Sequence, residues 1–146
     1  MSEKIIIYTD GACSGNPGDG GWGALVIVNE KETELYGGEH ATTNNKMELT
    51  AVIQALEFIG NTTASIDLWT DSQYVKNGIT DWIKGWKRNG WRNSQKQPVK
   101  NRDLWEKLDE LSSKLNISWN WVKGHNGHPE NERVDELARR GISELV

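Results

Sequence analysis

A chain of 146 residues, 36% hydrophobic and 26% charged, is of a size for one domain with its own core and is too short for two. Its single cysteine, Cys13, excludes an intrachain disulfide and a cysteine-based zinc cage, and no stretch approaches the about 18 apolar residues a membrane span needs. Lys and Arg number 17 against 21 Asp and Glu, a formal charge of -4, so a cytosolic acidic protein is expected, with its charge unevenly distributed.

The first residues, MSEKIIIYTD, mix charge with a brief apolar run, so no leader is expected. Lys4–Thr9 (KIIIYT) reads as a buried strand and Trp22–Val28 (WGALVIV) as a second. Asn29-Glu30 joins this to a third at Thr33–Gly38, which suggests an antiparallel meander. From Asn44 to Ile59 the period turns helical, with Leu49, Val52, Ile53, Leu56 and Ile59 on one stripe and Gly60 just past the end. Ile66–Thr70 is a fourth strand, followed by a short helix, DSQYVKNG, that Gly78 is expected to stop. A helix-like piece interrupted by Gly85 and Gly90 leads to a loop at Pro98. Helix resumes at Asn101, an N-cap candidate, with Leu104, Leu108, Leu111 and Leu115 as its stripe. Ile117–Val122 is a fifth strand, and after Gly124, Gly127 and Pro129 a last helix carries Val134, Leu137, Ala138 and Ile142. The order βββαβαβα predicts an α/β domain over residues 1–146, a mixed sheet with helices packed on it and parallel strands where a helix intervenes.

Two glycine and carboxylate patterns bear on chemistry. GDGGWG (18–23) matches G-x-G-x-x-G, but a strand follows it instead of a helix, so a dinucleotide site is rejected in favour of a glycine-rich turn beside a sheet edge. Asp10 ends the first strand and Asp71 the fourth; each either opens a turn or cap, or projects from the carboxyl edge where ligands bind in open α/β sheets. Glu48, at about 100° per residue, shares a helix side with Val52, Ala55 and Ile59. An unpaired carboxylate buried there would cost several kcal/mol, so it either reaches solvent or has a cationic companion. Asp135 sits similarly at the edge of the last helix's stripe. If the four carboxylates converge, divalent cations must fill the space between them, and oxygen-only ligands suit Mg²⁺ or Mn²⁺.

His125 and His128 lie in KGHNGHPEN and are either proton shuttles with a pKa of about 6.5 or solvated bystanders. Between Asp81 and Asp103 lie seven cations, Lys84, Lys87, Arg88, Arg92, Lys96, Lys100 and Arg102, with no acid among them and Trp82, Trp86 and Trp91 interleaved. Without them 10 cations face 21 acids. The stretch is either a solvated basic face with tryptophans as core or a contact for phosphates and sugars.

YTDGACSGNPG, TTNNKMEL, LWTDSQYV and WVKGHNGHPENERVDELA, in this order and spacing, resemble bacterial type 1 ribonuclease H from about Ile5 to Ala138. The resemblance implies a ribonuclease H-like fold, a five-stranded mixed sheet with helices on both faces, and an endonuclease that hydrolyses the RNA strand of RNA–DNA hybrids. It implies two Mg²⁺ ions, replaceable by Mn²⁺, held by Asp10, Glu48, Asp71 and Asp135, one activating the attacking water and the other stabilising the leaving 3′ oxygen. Products with 5′-phosphate and 3′-hydroxyl ends follow, and His125 matches a mobile histidine assisting proton transfer or product departure. Cys13, Asn16, Asn44, Asn45 and Gln73 match residues lining the hybrid's shallow groove, and Thr43 and Asn101 a pocket for a DNA-strand phosphate. Trp82, Trp86, Lys87, Arg88, Trp91 and Ser94 fall in a basic protrusion at about 81–102 that grips the DNA strand. A cytoplasmic monomer acting on RNA primers and R-loops is expected, with single-strand DNA-binding protein as a candidate partner.

Overall fold

The computed structural model describes residues 4–122 and 129–146. Three strands, β1 (Lys4–Gly15), β2 (Gly18–Val28) and β3 (Lys31–Thr42), form the expected antiparallel meander. Asn29 and Glu30 join β2 to β3 with φ of 50° and 71°, the left-handed pair of a tight hairpin turn whose twist matches the strands it connects. With β4 (Ser65–Thr70) and β5 (Asn116–Trp121) the sheet runs β3-β2-β1-β4-β5, and β4 is parallel to both β1 and β5.

The helices are α1 (Asn44–Ile59), α2 (Gln73–Asn77), α3 (Ile83–Arg88), α4 (Arg102–Ser113) and α5 (Pro129–Ser143). They cover both faces. On one, Ile5, Ile7, Ala24, Val26, Ile66 and Leu68 of the sheet pack on the stripe of α1 and on Trp105 and Leu108 of α4. On the other, Leu25 meets Val134 and Leu137 of α5. Helix α1 begins and ends as its sequence suggests. The Thr43 hydroxyl accepts the Lys46 N–H at 3.2 Å, and Gly60, at φ 65°, returns its N–H to the Leu56 carbonyl.

Three expectations are corrected. GDGGWG is neither a turn nor at an edge: it is the first half of β2, an interior strand paired with residues 10–15 of a longer β1. A Cβ on Gly21 would lie 2.0 Å from the Ala138 carbonyl and one on Gly23 2.6 Å from that of Val134, so these glycines let α5 rest directly on the sheet. Gly78 follows the last residue of α2, as expected, but does not end the helical path. The chain passes through a wide π-turn at Gly78–Trp82 into α3, and Gly78 is required because a Cβ there would meet the Trp105 ring at 2.0 Å; Gly85 likewise lies inside α3 without interrupting it. Asn101 is not a side-chain N-cap: it is left-handed, at φ 60°, and its amide donates to the Tyr74 hydroxyl at 3.0 Å.

Candidate active site

In the parallel pair, Thr9 is level with Thr70, so the next residues, Asp10 and Asp71, leave adjacent strands at the same edge. Glu48 arrives from above. A Cβ on Gly11 would lie 2.5 Å from the Glu48 backbone nitrogen, so glycine at this position allows β1 to press against the first turns of α1 and sets the Glu48 carboxylate over Asp10. Carboxylate oxygens of Asp10, Glu48 and Asp71 all lie within 4.8 Å of one another. Asp10 is 4% and Glu48 5% exposed.

Among the described residues no Lys or Arg pairs with Asp10 or Glu48, and Glu48 Oε2 is buried with no hydrogen-bond partner. No described side chain is therefore the cationic companion that a buried Glu48 required, and its described carboxylate neighbours carry its own sign. Burial, then the charges of Asp71 and Asp135 and a hydrogen bond with Asp135, push the Asp10 pKa up to about 8, against a smaller lowering by the Gly11 N–H. Glu48 is raised well above the carboxylate range, first by burial and then by Asp10 and Asp71. Buried, crowded, oxygen-only and with one oxygen orphaned, the group fits a hard divalent cation such as Mg²⁺. Asp135 faces Asp10 from α5 but stands outside the closest three, half-exposed and 3.2 Å from Arg139.

The residues expected at the substrate groove gather beside this cluster. The Cys13 thiol donates to the Thr42 carbonyl at 3.4 Å, and Asn16 Oδ1 accepts the Asn44 N–H at 3.3 Å, which ties the β1–β2 turn to the start of α1 where Thr43 and Asn45 also lie. Gln73 is exposed at the start of α2. A cavity of about 730 Å³ opens between Lys46 at the start of α1 and Asn101 and Arg102 at the start of α4. Asp10, Glu48 and Asp71 do not line it.

Farther out, Trp86 has its ring centroid 5.9 Å from that of Trp82, 6.3 Å from Trp91 and 5.3 Å from the wholly buried Trp105. The tryptophans anchor the basic stretch and most of its cations face solvent, as a solvated basic face requires and as a contact for phosphates would also need. Lys87 pairs with Asp109 at 3.4 Å and Arg102 with Glu106, whereas Lys84, Arg88, Arg92, Lys96 and Lys100 are exposed and outside any ion pair among the described residues. Ser94 lies in a loop that Asn93 closes by accepting the N–H groups of Gln95 and Gln97. His125 and His128 lie outside the described residues. Two residues with structural roles here carried no signal in the sequence: Asn93, and Trp121, whose indole N–H donates to the Asp71 carbonyl at 3.1 Å.

The family model of RNase H matches residues 2–143. The chain belongs to the RNase H family. It is 62% identical over 144 residues to the Ribonuclease H of Bradyrhizobium diazoefficiens, covering 97% of this chain and 93% of that one. It is 57% identical over 145 residues to the Ribonuclease HI of Neisseria meningitidis serogroup B, covering 99% of both. Among solved structures, LC9-RNase H1, described as a type 1 RNase H with the type 2 active-site motif, superposes with a TM-score of 0.90 at 30% identity over all of this chain and 75% of its own. These relatives place it with the bacterial type 1 enzymes.

Proposed function

We propose that this RNase H cleaves the RNA strand of RNA–DNA hybrids endonucleolytically, through two divalent cations held by Asp10, Glu48, Asp71 and Asp135, leaving 5′-phosphate and 3′-hydroxyl ends. The observation that carries the reading is the close carboxylate trio, with Asp10 and Glu48 buried and one Glu48 oxygen without a hydrogen-bond partner among the described residues. Bound Mg²⁺ or Mn²⁺ supplies activation of the attacking water and charge stabilisation at the leaving 3′ oxygen. Asp10, which interacts with all three other carboxylates, is the natural shared ligand. Cys13, Asn16, Asn44, Asn45 and Gln73 would hold the hybrid in register over it, where the 2′-hydroxyl distinguishes the RNA strand. Thr43 and Asn101 are assigned to a phosphate of the DNA strand on the sequence resemblance; the cavity that Asn101 lines also holds Lys46 and Arg102, with Glu39, Asp103 and Glu106 opposing them in charge. His125 is assigned to proton transfer or product departure on the sequence resemblance, and that resemblance likewise supports a cytoplasmic monomer that removes RNA primers and R-loops.

Incubation with Mg²⁺ of uniformly labelled RNA–DNA hybrid, RNA duplex and DNA duplex tests the reading: hybrid RNA alone should be cut. Cleavage of duplex DNA would make the chain a nuclease of the same fold with another substrate, and binding of hybrid without any cleavage would make it a binding module.

The basic protrusion gives a separate expectation. Replacing Lys87, Arg88 and Arg92 by Gln should weaken hybrid binding and flatten its salt dependence, each lost phosphate contact removing about 0.7–0.9 from the log–log slope. Lys87 should contribute least, because a phosphate must displace Asp109 to reach it. Affinities measured across a salt series check this; an unchanged slope with a collapsed kcat would move the protrusion into the chemistry.

A further inference from the structure

We infer that Trp121 is a positioning residue for Asp71, fixing the backbone from which that carboxylate reaches the metal site. The inference rests on the metal reading proposed above.

Asp71 is the member of the trio least supported by regular structure. Asp10 lies within β1 and Glu48 within α1, but the β4–β5 ladder ends at the pair Thr70–Trp121, one residue before Asp71. The last ladder bond, Val122 N–H to the Thr70 carbonyl at 2.9 Å, goes to the residue before it. On the other side Ser72 is committed to α2: its hydroxyl accepts the Val75 N–H, and its own N–H goes to the Thr70 hydroxyl, both at 3.1 Å. The Asp71 carbonyl points instead at the β5 side and takes the Trp121 indole N–H at 3.1 Å. The indole is itself held. Its backbone is in the sheet opposite Thr70, and Lys76 of α2 places its ammonium 4.8 Å from the ring centroid. Trp121 thus ties the end of β5 to the turn that presents Asp71 and, through Lys76, to the helix that follows. A ligand carboxylate must be held to within a fraction of an ångström to share a cation with two others, and a bond to its own carbonyl restricts the rotation that would swing it away.

Trp121→Phe deletes the N–H and keeps an aromatic ring. Trp119→Phe is the packing control, two residues earlier on the same face of β5. Mg²⁺ titrated into substrate-free protein, with the unfolding midpoint as readout, reports metal affinity apart from catalysis. Loss of one such hydrogen bond should raise the Mg²⁺ concentration for half-maximal stabilisation about three- to tenfold in Trp121→Phe. Trp119→Phe should keep the wild-type requirement even where its midpoint falls. In turnover, Trp121→Phe should lose rate at limiting Mg²⁺ with an unchanged KM for hybrid. If both variants lower the midpoint and neither changes the Mg²⁺ requirement, Trp121 is only packing and the inference is wrong. An Asp71→Asn arm separates the two levels: if it too leaves the Mg²⁺ requirement unchanged, the metal reading falls and takes this inference with it.

Discussion

Asp10→Asn should abolish hydrolysis of hybrid while leaving hybrid binding within about threefold of wild type. The substitution keeps the volume and one oxygen of a residue that is 4% exposed, so the fold and the hydrogen bonds of Cys13 to Thr42 and of Asn44 to Asn16, the residues proposed to hold the hybrid, should be undisturbed. It removes the carboxylate that interacts with Glu48, Asp71 and Asp135 alike. Losing several kcal/mol of transition-state stabilisation corresponds to roughly 10³-fold or more in rate, at about 1.36 kcal/mol per decade. Glu48→Gln and Asp71→Asn should approach the same loss. Asp135→Asn should cost less, because Asp135 is outside the closest trio and part of its charge is already answered by Arg139. Single-turnover cleavage with saturating enzyme separates the chemical step from binding. A near wild-type rate for Asp10→Asn in Mg²⁺ would overturn the assignment, and a graded series with Asp135 most damaging would reassign the centre of the site.

Much of this site was legible in the sequence because it follows from topology. Asp10 and Asp71 each follow the last residue of the β1–β4 parallel ladder, so the sequence could pair them on the condition that these strands were parallel neighbours, and the motif resemblance selected them from the other acids. Glu48 stood out as a charge within an apolar stripe, and the structure answers the question it posed with more carboxylates where a cation was sought. The strand extensions were illegible, since residues 10–15 and 18–21 are glycine-rich and lack the alternation that marks a strand; Gly11 answers to α1 and Gly21 to α5 packed against them. Gly78 and Asn101 stand where the sequence put them, at the end of α2 and the start of α4, but what they do there was illegible for the same reason. Their residue types are standard stop and cap signals, but their roles here are set by Trp105 and Tyr74, both distant in the chain. Trp121 had no local mark at all, because its partner lies fifty residues earlier. Local pattern reports what a residue does for its own element, and these three serve another.

The carboxylate cluster should also make the metal-free protein less stable as pH rises, the reverse of the trend for salt-bridged acids. Asp10 titrates at an ordinary 3.8 in the unfolded chain and at about 8 in the folded one, and Glu48 is raised in the same sense. Between these limits the folded state binds more protons than the unfolded state, so the free energy of unfolding falls by about 1.4 kcal/mol per pH unit for each excess proton. The stabilising contribution is fully present below about pH 4 and lost by the time pH passes 8. Unfolding in EDTA at pH 5 and pH 8 should therefore show a lower midpoint at pH 8, and added Mg²⁺ should restore it by binding only the folded state. Asp10→Asn removes the charge that most strains Glu48, so the variant should be more stable than wild type at pH 8 in EDTA, by on the order of a few kcal/mol, and should gain less from Mg²⁺. A variant less stable than wild type under those conditions, with a flat pH dependence in both proteins, would mean that the carboxylates are already compensated within the fold. The repulsion would then give no reason for the site to require a cation. If the variant instead combines higher stability with lost activity, the same charge crowding explains both the cost of the site to the fold and the affinity that makes it catalytic.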